Sequence, residues 1–305
     1  MNKKQKNMKK IILILIFFIS LYSHGEAGSR ILSNPAQKVF LFNMTDSIQV
    51  AEKHRKIKSG VDYASVSAFK GRKDTTGVSL LSPYFEYTGK HGFYTRMALD
   101  HVPGGKRKFF DEFNSEIGWN FDFSDNWDGF IGYSHYFYDS QVARIMASVS
   151  NEIKTNVGYD WKYLYSFLDF DWSGGNNKFP YKGVIVTTKS HDFQLAFSNS
   201  HQFSFDRILK RSANLSITPD ADILYGTQNF LVTYKGKTNT SEKVYQQQAK
   251  KFRLTGYVFY LEIKYKIKKL TMELSPNYTI PKNVPKGEST KPFFVMDASV
   301  YVTFK

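Results

Sequence analysis

The chain has 305 residues, no cysteine, 17% aromatic residues and a formal charge of +15 at pH 7. The missing cysteines exclude a lipid-anchored N-terminus, disulfides and thiolate metal sites. A mean hydropathy of −0.40 excludes a bundle of membrane helices, although Phe and Tyr number 27 and 20.

In chain order, Lys3, Lys4, Lys6, Lys9 and Lys10 precede an apolar run from Ile11 to Ile19 that continues through Leu21 and Tyr22. Ser23-His24-Gly25 or Gly25-Glu26-Ala27 then offers the small-x-small pattern of a cleavage site. This predicts a secretory signal peptide over residues 1–27, too short to span a bilayer as a helix. Cleavage after Gly25 removes the five lysines and leaves +10. Export argues against nucleic acid as the partner of that charge. The clusters Lys53-His54-Arg55-Lys56 and Lys106-Arg107-Lys108 suit lipid phosphates and anionic lipopolysaccharide instead. Residues 28–56 lack alternation and carry Asn34-Pro35, so they are expected to form a periplasmic N-terminal extension. Residues 57–305 are expected to form the barrel argued next.

Twelve segments alternate apolar with polar residues: Lys58–Phe69, Val78–Thr88, Gly92–His101, Glu112–Phe123, Trp127–Tyr138, Ala147–Gly158, Lys162–Trp172, His191–Phe205, Ala213–Tyr225, Phe252–Lys266, Leu270–Ile280 and Phe293–Phe304. Glu112–Phe123 is the cleanest. Phe113, Ile117, Trp119, Phe121 and Phe123 share one face, and Asn114, Glu116, Gly118, Asn120 and Asp122 share the other. Successive strand residues point to opposite faces. Segments this long, with aromatic ends, suit a bilayer crossed at a tilt in roughly 9–11 residues. Even-numbered connections are short, as at Gly89-Lys90-His91, Ser124-Asp125-Asn126, Tyr159-Asp160-Trp161 and Ile267-Lys268-Lys269. Odd ones are long, as at Pro103–Asp111, Ser173–Ser190, Gly226–Lys251 and Pro281–Pro292. The pattern predicts an all-β, single-domain, twelve-stranded antiparallel up-and-down transmembrane barrel in a Gram-negative outer membrane. Gly183–Thr188 (GVIVTT) is placed in a loop, with extension of a strand as the other option.

Sorting the faces places Arg96, Asp100, Glu116, Asn120, Asp122, Glu152, Lys154, Asn156, Asp169, Asp171, Asp192 and Gln194 toward the lumen. Asp220, Asp222, Glu262, Lys264, Glu273, Asn277 and Asp297 join them. Some of these charges should pair across strands and hold register. Acids outnumber bases in this set, so a water-filled lumen would favour cations.

Several stretches resemble a family of small bacterial outer-membrane porins, especially forms from Bacteroidetes. They are Val61-Asp62-Tyr63 through Ala68-Phe69-Lys70-Gly71-Arg72, Ser82-Pro83-Tyr84-Phe85-Glu86-Tyr87 with Gly92-Phe93-Tyr94, and Tyr225-Gly226-Thr227-Gln228-Asn229-Phe230. Tyr265-Lys266-Ile267, Tyr278-Thr279-Ile280-Pro281 and Val300-Tyr301-Val302-Thr303-Phe304 close the set. The resemblance implies a barrel and a pore, and it carries over no functional residue. The family's usual start has Arg-Gly where this chain has Lys70-Gly71. An aromatic last residue is the usual signal to the barrel-assembly machinery, and here Lys305 follows Phe304.

An outer-membrane lipid hydrolase is the enzymatic rival. Such barrels place His and Ser two residues apart on one strand face, because a nucleophile and its base must be within hydrogen-bond reach. Ser134-His135, Ser190-His191 and Ser200-His201 are adjacent pairs, so their side chains face opposite ways. Asp169-Phe170-Asp171-Trp172-Ser173-Gly174 starts like a calcium loop, but Pro180 stands where a bidentate Glu is needed. A loose Ca²⁺ site near the outer rim is weighed there against an ordinary salt-bridged rim, as it is for Asp220 and Asp222. No catalytic constellation and no cofactor are expected. The expected function is passive: size exclusion by the lumen and charge selection by its carboxylates. A non-conducting structural or surface-interaction barrel stays open beside it.

Overall fold

The computed structural model describes residues 55–65, 68–69, 71–73, 79–103, 111–138, 149–181, 184–206, 213–229, 250–284 and 289–305. The predicted signal peptide, the extension up to residue 54 and the Lys106-Arg107-Lys108 cluster lie outside the described residues. No helix occurs among the described residues.

The barrel strands are β1 (Lys56–Ala64), β2 (Leu80–Thr88), β3 (Phe93–Asp100), β4 (Glu112–Ser124), β5 (Trp127–Tyr138) and β6 (Val149–Asp160). Then come β7 (Tyr165–Tyr181), β8 (Val184–Ser200), β9 (Ala213–Gly226), β10 (Arg253–Ile267), β11 (Leu270–Pro281) and β12 (Phe293–Phe304). Each pairs antiparallel with its chain neighbour, and β1 pairs with β12 through Val61↔Val300. The result is a closed twelve-stranded antiparallel barrel. Closure is what lets strands stand in hydrocarbon, where an open edge would leave unpaired N–H and C=O groups costing several kcal/mol each.

The faces sort as alternation predicts. Ile117 is 53% exposed and Trp119 54%, whereas Glu116 beside them is 8% exposed. A water-soluble protein would place these residues the other way round. Two aromatic belts bound the apolar band. At the short-turn end Trp127 packs on Tyr159 (4.7 Å) and Tyr159 on Trp161 (4.5 Å). At the other end Phe113 stacks on Phe137 (5.6 Å) and Trp172 on His191 (5.5 Å). Trp127 and Phe137 are ten residues apart on β5. That is roughly 33 Å of strand and about 25 Å of height at a tilt near 40°, the thickness of a barrel's apolar band.

Several features depart from the sequence-based expectation. The first strand stops at Ala64, where Ser65 Oγ accepts the Met296 N–H (2.8 Å). Ala68–Phe69 and Arg72–Lys73 then form a small separate hairpin about Gly71, whose φ of +77° favours glycine. The Gly183–Thr188 run is no loop from Val184 onward. β7 continues to Tyr181 and β8 begins at Val184, paired Val184↔Tyr181 through Ser200↔Tyr165. Its β-branched residues favour this extended state. Among the described residues, pairing of β7 with β6 runs to Gly175 and pairing of β8 with β9 to Gln194.

The expected strand His191–Phe205 is interrupted at His201-Gln202, and Phe203–Asp206 resumes pairing with β9. The His201 N–H still donates to the Pro219 carbonyl (3.2 Å). Pro219 has no N–H to return, so the ladder breaks there. Lastly, Asp169 and Asp171 do not lie near the rim. They pair with Asn156 and Lys154 in the middle of β6, inside a regular strand where no calcium loop can form.

A charge on the lipid face of such a band costs roughly 2–4 kcal/mol at the midplane and little inside. Trp119→Arg should therefore lower the urea midpoint of the folded barrel far more than Asn120→Arg. Equal midpoints would mean that the two faces are assigned the wrong way round.

Candidate functional site: the barrel interior

Strand parity brings the interior charges of separate strands together. Arg96 on β3 donates to Asp62 on β1 (2.6 Å), lies 3.8 Å from Glu86 on β2, and stacks 4.0 Å above the Tyr84 ring. Lys58 reaches Glu86 (3.3 Å), and Ser299 donates to Asp62 (2.7 Å). The guanidinium thus stitches three strands, with β12 joined through Ser299. Planar donors at fixed angles suit this role better than a lysine.

Two further nodes complete the ionic wall. Lys154 contacts Glu152 (3.2 Å) and Glu116 (4.0 Å). Ser134 donates to Glu116 (3.1 Å), while Tyr136 and Ser173 donate to Glu152 (2.6 and 3.3 Å). Across the barrel Lys264 contacts Glu273 (3.2 Å) and Glu262 (3.5 Å), and Tyr301 donates to Glu273 (2.6 Å). Bulk fills the wall between. The Phe130 ring lies across Gly118 and Gly132, where an added Cβ would come within 2.6 and 2.4 Å of it, and Tyr94 meets that ring edge-on at 6.1 Å.

Other residues expected in the lumen make shorter links, between neighbouring strands or to a loop or turn. Asp192 accepts from Thr227 Oγ1 (2.6 Å), the Asn229 N–H (2.7 Å) and Asn229 Nδ2 (3.0 Å), which fixes the chain leaving β9. Asp100 accepts from Asn114 (3.4 Å), Asp297 accepts from Asn277 (3.4 Å), and Asn120 donates to the Gly92 carbonyl (3.4 Å). Asp122 is exposed beside the β4–β5 turn, and Asn156 and Gln194 are buried. Asp169, Asp171, Asp220 and Asp222 stand on β7 and β9, on either side of β8. Asp62, Glu86 and Lys58 were absent from the sequence-based set, though Lys58-x-Gly60-x-Asp62 and Tyr84-x-Glu86 carry the same parity signal.

The histidine pair most like a hydrolase is divided by the wall. Ser134 faces Glu116 inside, whereas His135 Nδ1 contacts Asn151 Oδ1 (2.9 Å) beside Tyr133.

No family model matches the sequence, and no curated protein matches it. Among solved structures the chain is similar to the NanC porin, at 9% identity and a TM-score of 0.42, over 83% of this chain and 100% of that one. It is similar to the KdgM porin at 7% and 0.43, over 82% and 99%. LpxR from Salmonella typhimurium gives 10% and 0.47, over 82% and 100%. At these values no residue and no activity carries across.

Removing one partner of a buried ion pair costs about 3–5 kcal/mol, because the other charge is left uncompensated. Arg96→Ala, which takes the guanidinium from Asp62 and leaves Glu86 with Lys58 alone, should lower unfolding free energy in urea by about that amount. Adding Asp62→Asn and Glu86→Gln should recover much of it. A loss below about 1 kcal/mol, the range of an exposed pair, would show that water reaches the cluster.

Proposed function

We propose that the protein is a narrow passive channel of the bacterial outer membrane that prefers small cations and performs no enzymatic reaction. The supporting observation is the interior charge balance. Arg96, Lys154, Lys58 and Lys264 are each held by carboxylates. Asp169, Asp220 and Asp222 have carboxylate oxygens with no hydrogen-bond partner among the described residues. Fixed negative charge in a low-dielectric passage raises local cation concentration and repels anions. Twelve strands set a bore between the filled eight-stranded barrels and the open porins. The short-turn end, where both chain termini of the barrel lie, faces the periplasm in this proposal.

One observation favours a second reading, a non-conducting structural barrel. Glu86, Glu116, Glu152, Glu262, Lys264 and Glu273 are all less than a tenth exposed, as in a plugged interior.

Protein in a planar bilayer under a salt gradient should give a cation-selective reversal potential that shrinks as salt rises and screening shortens. Asp122→Asn at the mouth should weaken it. Anion selectivity would transfer the selecting element to the basic loops, and absence of current from correctly folded protein would favour the plugged barrel.

Orientation is tested on cells. Cysteine at Asn283 should react with an impermeant thiol reagent, and cysteine at Asn126 should react only after the outer membrane is opened. Labelling of Asn126 on intact cells would invert the topology.

A further inference from the structure

We propose that the β7–β10 sector of the interior binds an organic polyamine, a chain bearing two or more ammonium groups. This rests on the reading of the interior as reachable by solutes. Asp169 on β7 pairs with Ala196 on β8, and Ala196 pairs with Leu224 on β9. Asp222 on β9 stands opposite Ser198, so two small side chains on β8 separate the acids of the flanking strands. Asp169 and Asp222 are therefore two interstrand spacings and two residues apart, roughly 12 Å between backbones. Asp220 adds a third carboxylate two residues along β9, opposite Tyr260 on β10.

Acids alone do not make a site. Here the independent observation is a set of buried acceptors left without donors. Thr218 is 2% exposed, on the same inner face as Asp220, and its hydroxyl has no partner among the described residues. Asp222 is equally buried beside the Ser198 hydroxyl, and Asp169 Oδ2 and Asp220 Oδ1 lack a partner among the described residues. Buried polar groups are nearly always paired in folded proteins. What this sector needs is several N–H donors, spaced along a chain rather than gathered at a point. No group of three acidic or histidine side chains among the described residues is close enough to hold one metal ion, which argues against a divalent metal. Tyr260, packed over Ala196, Leu224 and Val258, adds an aromatic face of the kind that attracts ammonium ions. Three separated carboxylates, a hydroxyl and a ring match a flexible polycation.

The test is calorimetric titration of the folded full-length protein in zwitterionic detergent with spermidine, and separately with Mg²⁺. Saturable spermidine binding is expected, tighter than Mg²⁺ binding, and at least tenfold weaker in the Asp220→Asn/Asp222→Asn variant. Folding of the variant is checked by heat-modifiable gel migration, and Asp169→Asn replaces it if it fails that check. No saturable heat, binding unchanged in the variant, or Mg²⁺ binding as tight as spermidine would each overturn the proposal. Conductance is judged apart. Binding without current sinks the channel and keeps the polyamine site, whereas current without binding does the reverse.

Discussion

Everything in this molecule depends on the hydrogen-bonding demand of a backbone placed in hydrocarbon. No water is available there to pair an open strand edge. The demand is met by the ladder between β1 and β12, eight residue pairs from Ile57↔Phe304 to Ala64↔Asp297. These join residues more than 230 positions apart, as the Ser65–Met296 contact at the ladder's end illustrates. Once closed, the wall has only two environments, and each strand must present apolar residues to one and polar residues to the other.

The inner environment then imposes its own condition. A charge that is neither hydrated nor paired costs several kcal/mol, so the interior charges gather around the cations Arg96, Lys154 and Lys264. Each cation gathers acids from more than one strand or sits between acids of one, and these links cross the ladder directions. They hold register as well as charge. On β7 and β9, where no such cation stands among the described residues, Asp169, Asp220 and Asp222 carry carboxylate oxygens without a hydrogen-bond partner there, as Glu116 does on β4. The structural and functional readings of the interior therefore apply to different sectors of one barrel. The ion-paired nodes over β1–β6 and β10–β12 stiffen it, and the proposed cation passage belongs to the acidic sector.

Irregularities have local covalent causes. Pro219 interrupts pairing at His201 because it carries no N–H. The two arms of the β7–β8 hairpin satisfy each other's backbone groups as far as Val184↔Tyr181. That hairpin carries the apolar run that composition alone could place equally in a loop or a strand.

The sequence by itself determined the strand count, the antiparallel up-and-down order and the alternation of faces along a strand such as β4. Parity is local, so Glu116 and Ile117 must part company whichever strands lie beside them. It also determined that Ser134 and His135 could not act together. Only the tertiary structure decided which inward charges meet. Arg96 finds Asp62 because β2 lies between their strands, and Asp169 faces toward Asp222 across β8 because that strand presents Ala196 and Ser198. Such encounters depend on stagger and closure, which are properties of the whole cylinder. No stretch of sequence contains them. The partners of Asp192 belong with these encounters: Thr227 and Asn229 reach it only after the chain has crossed along β8 and returned along β9.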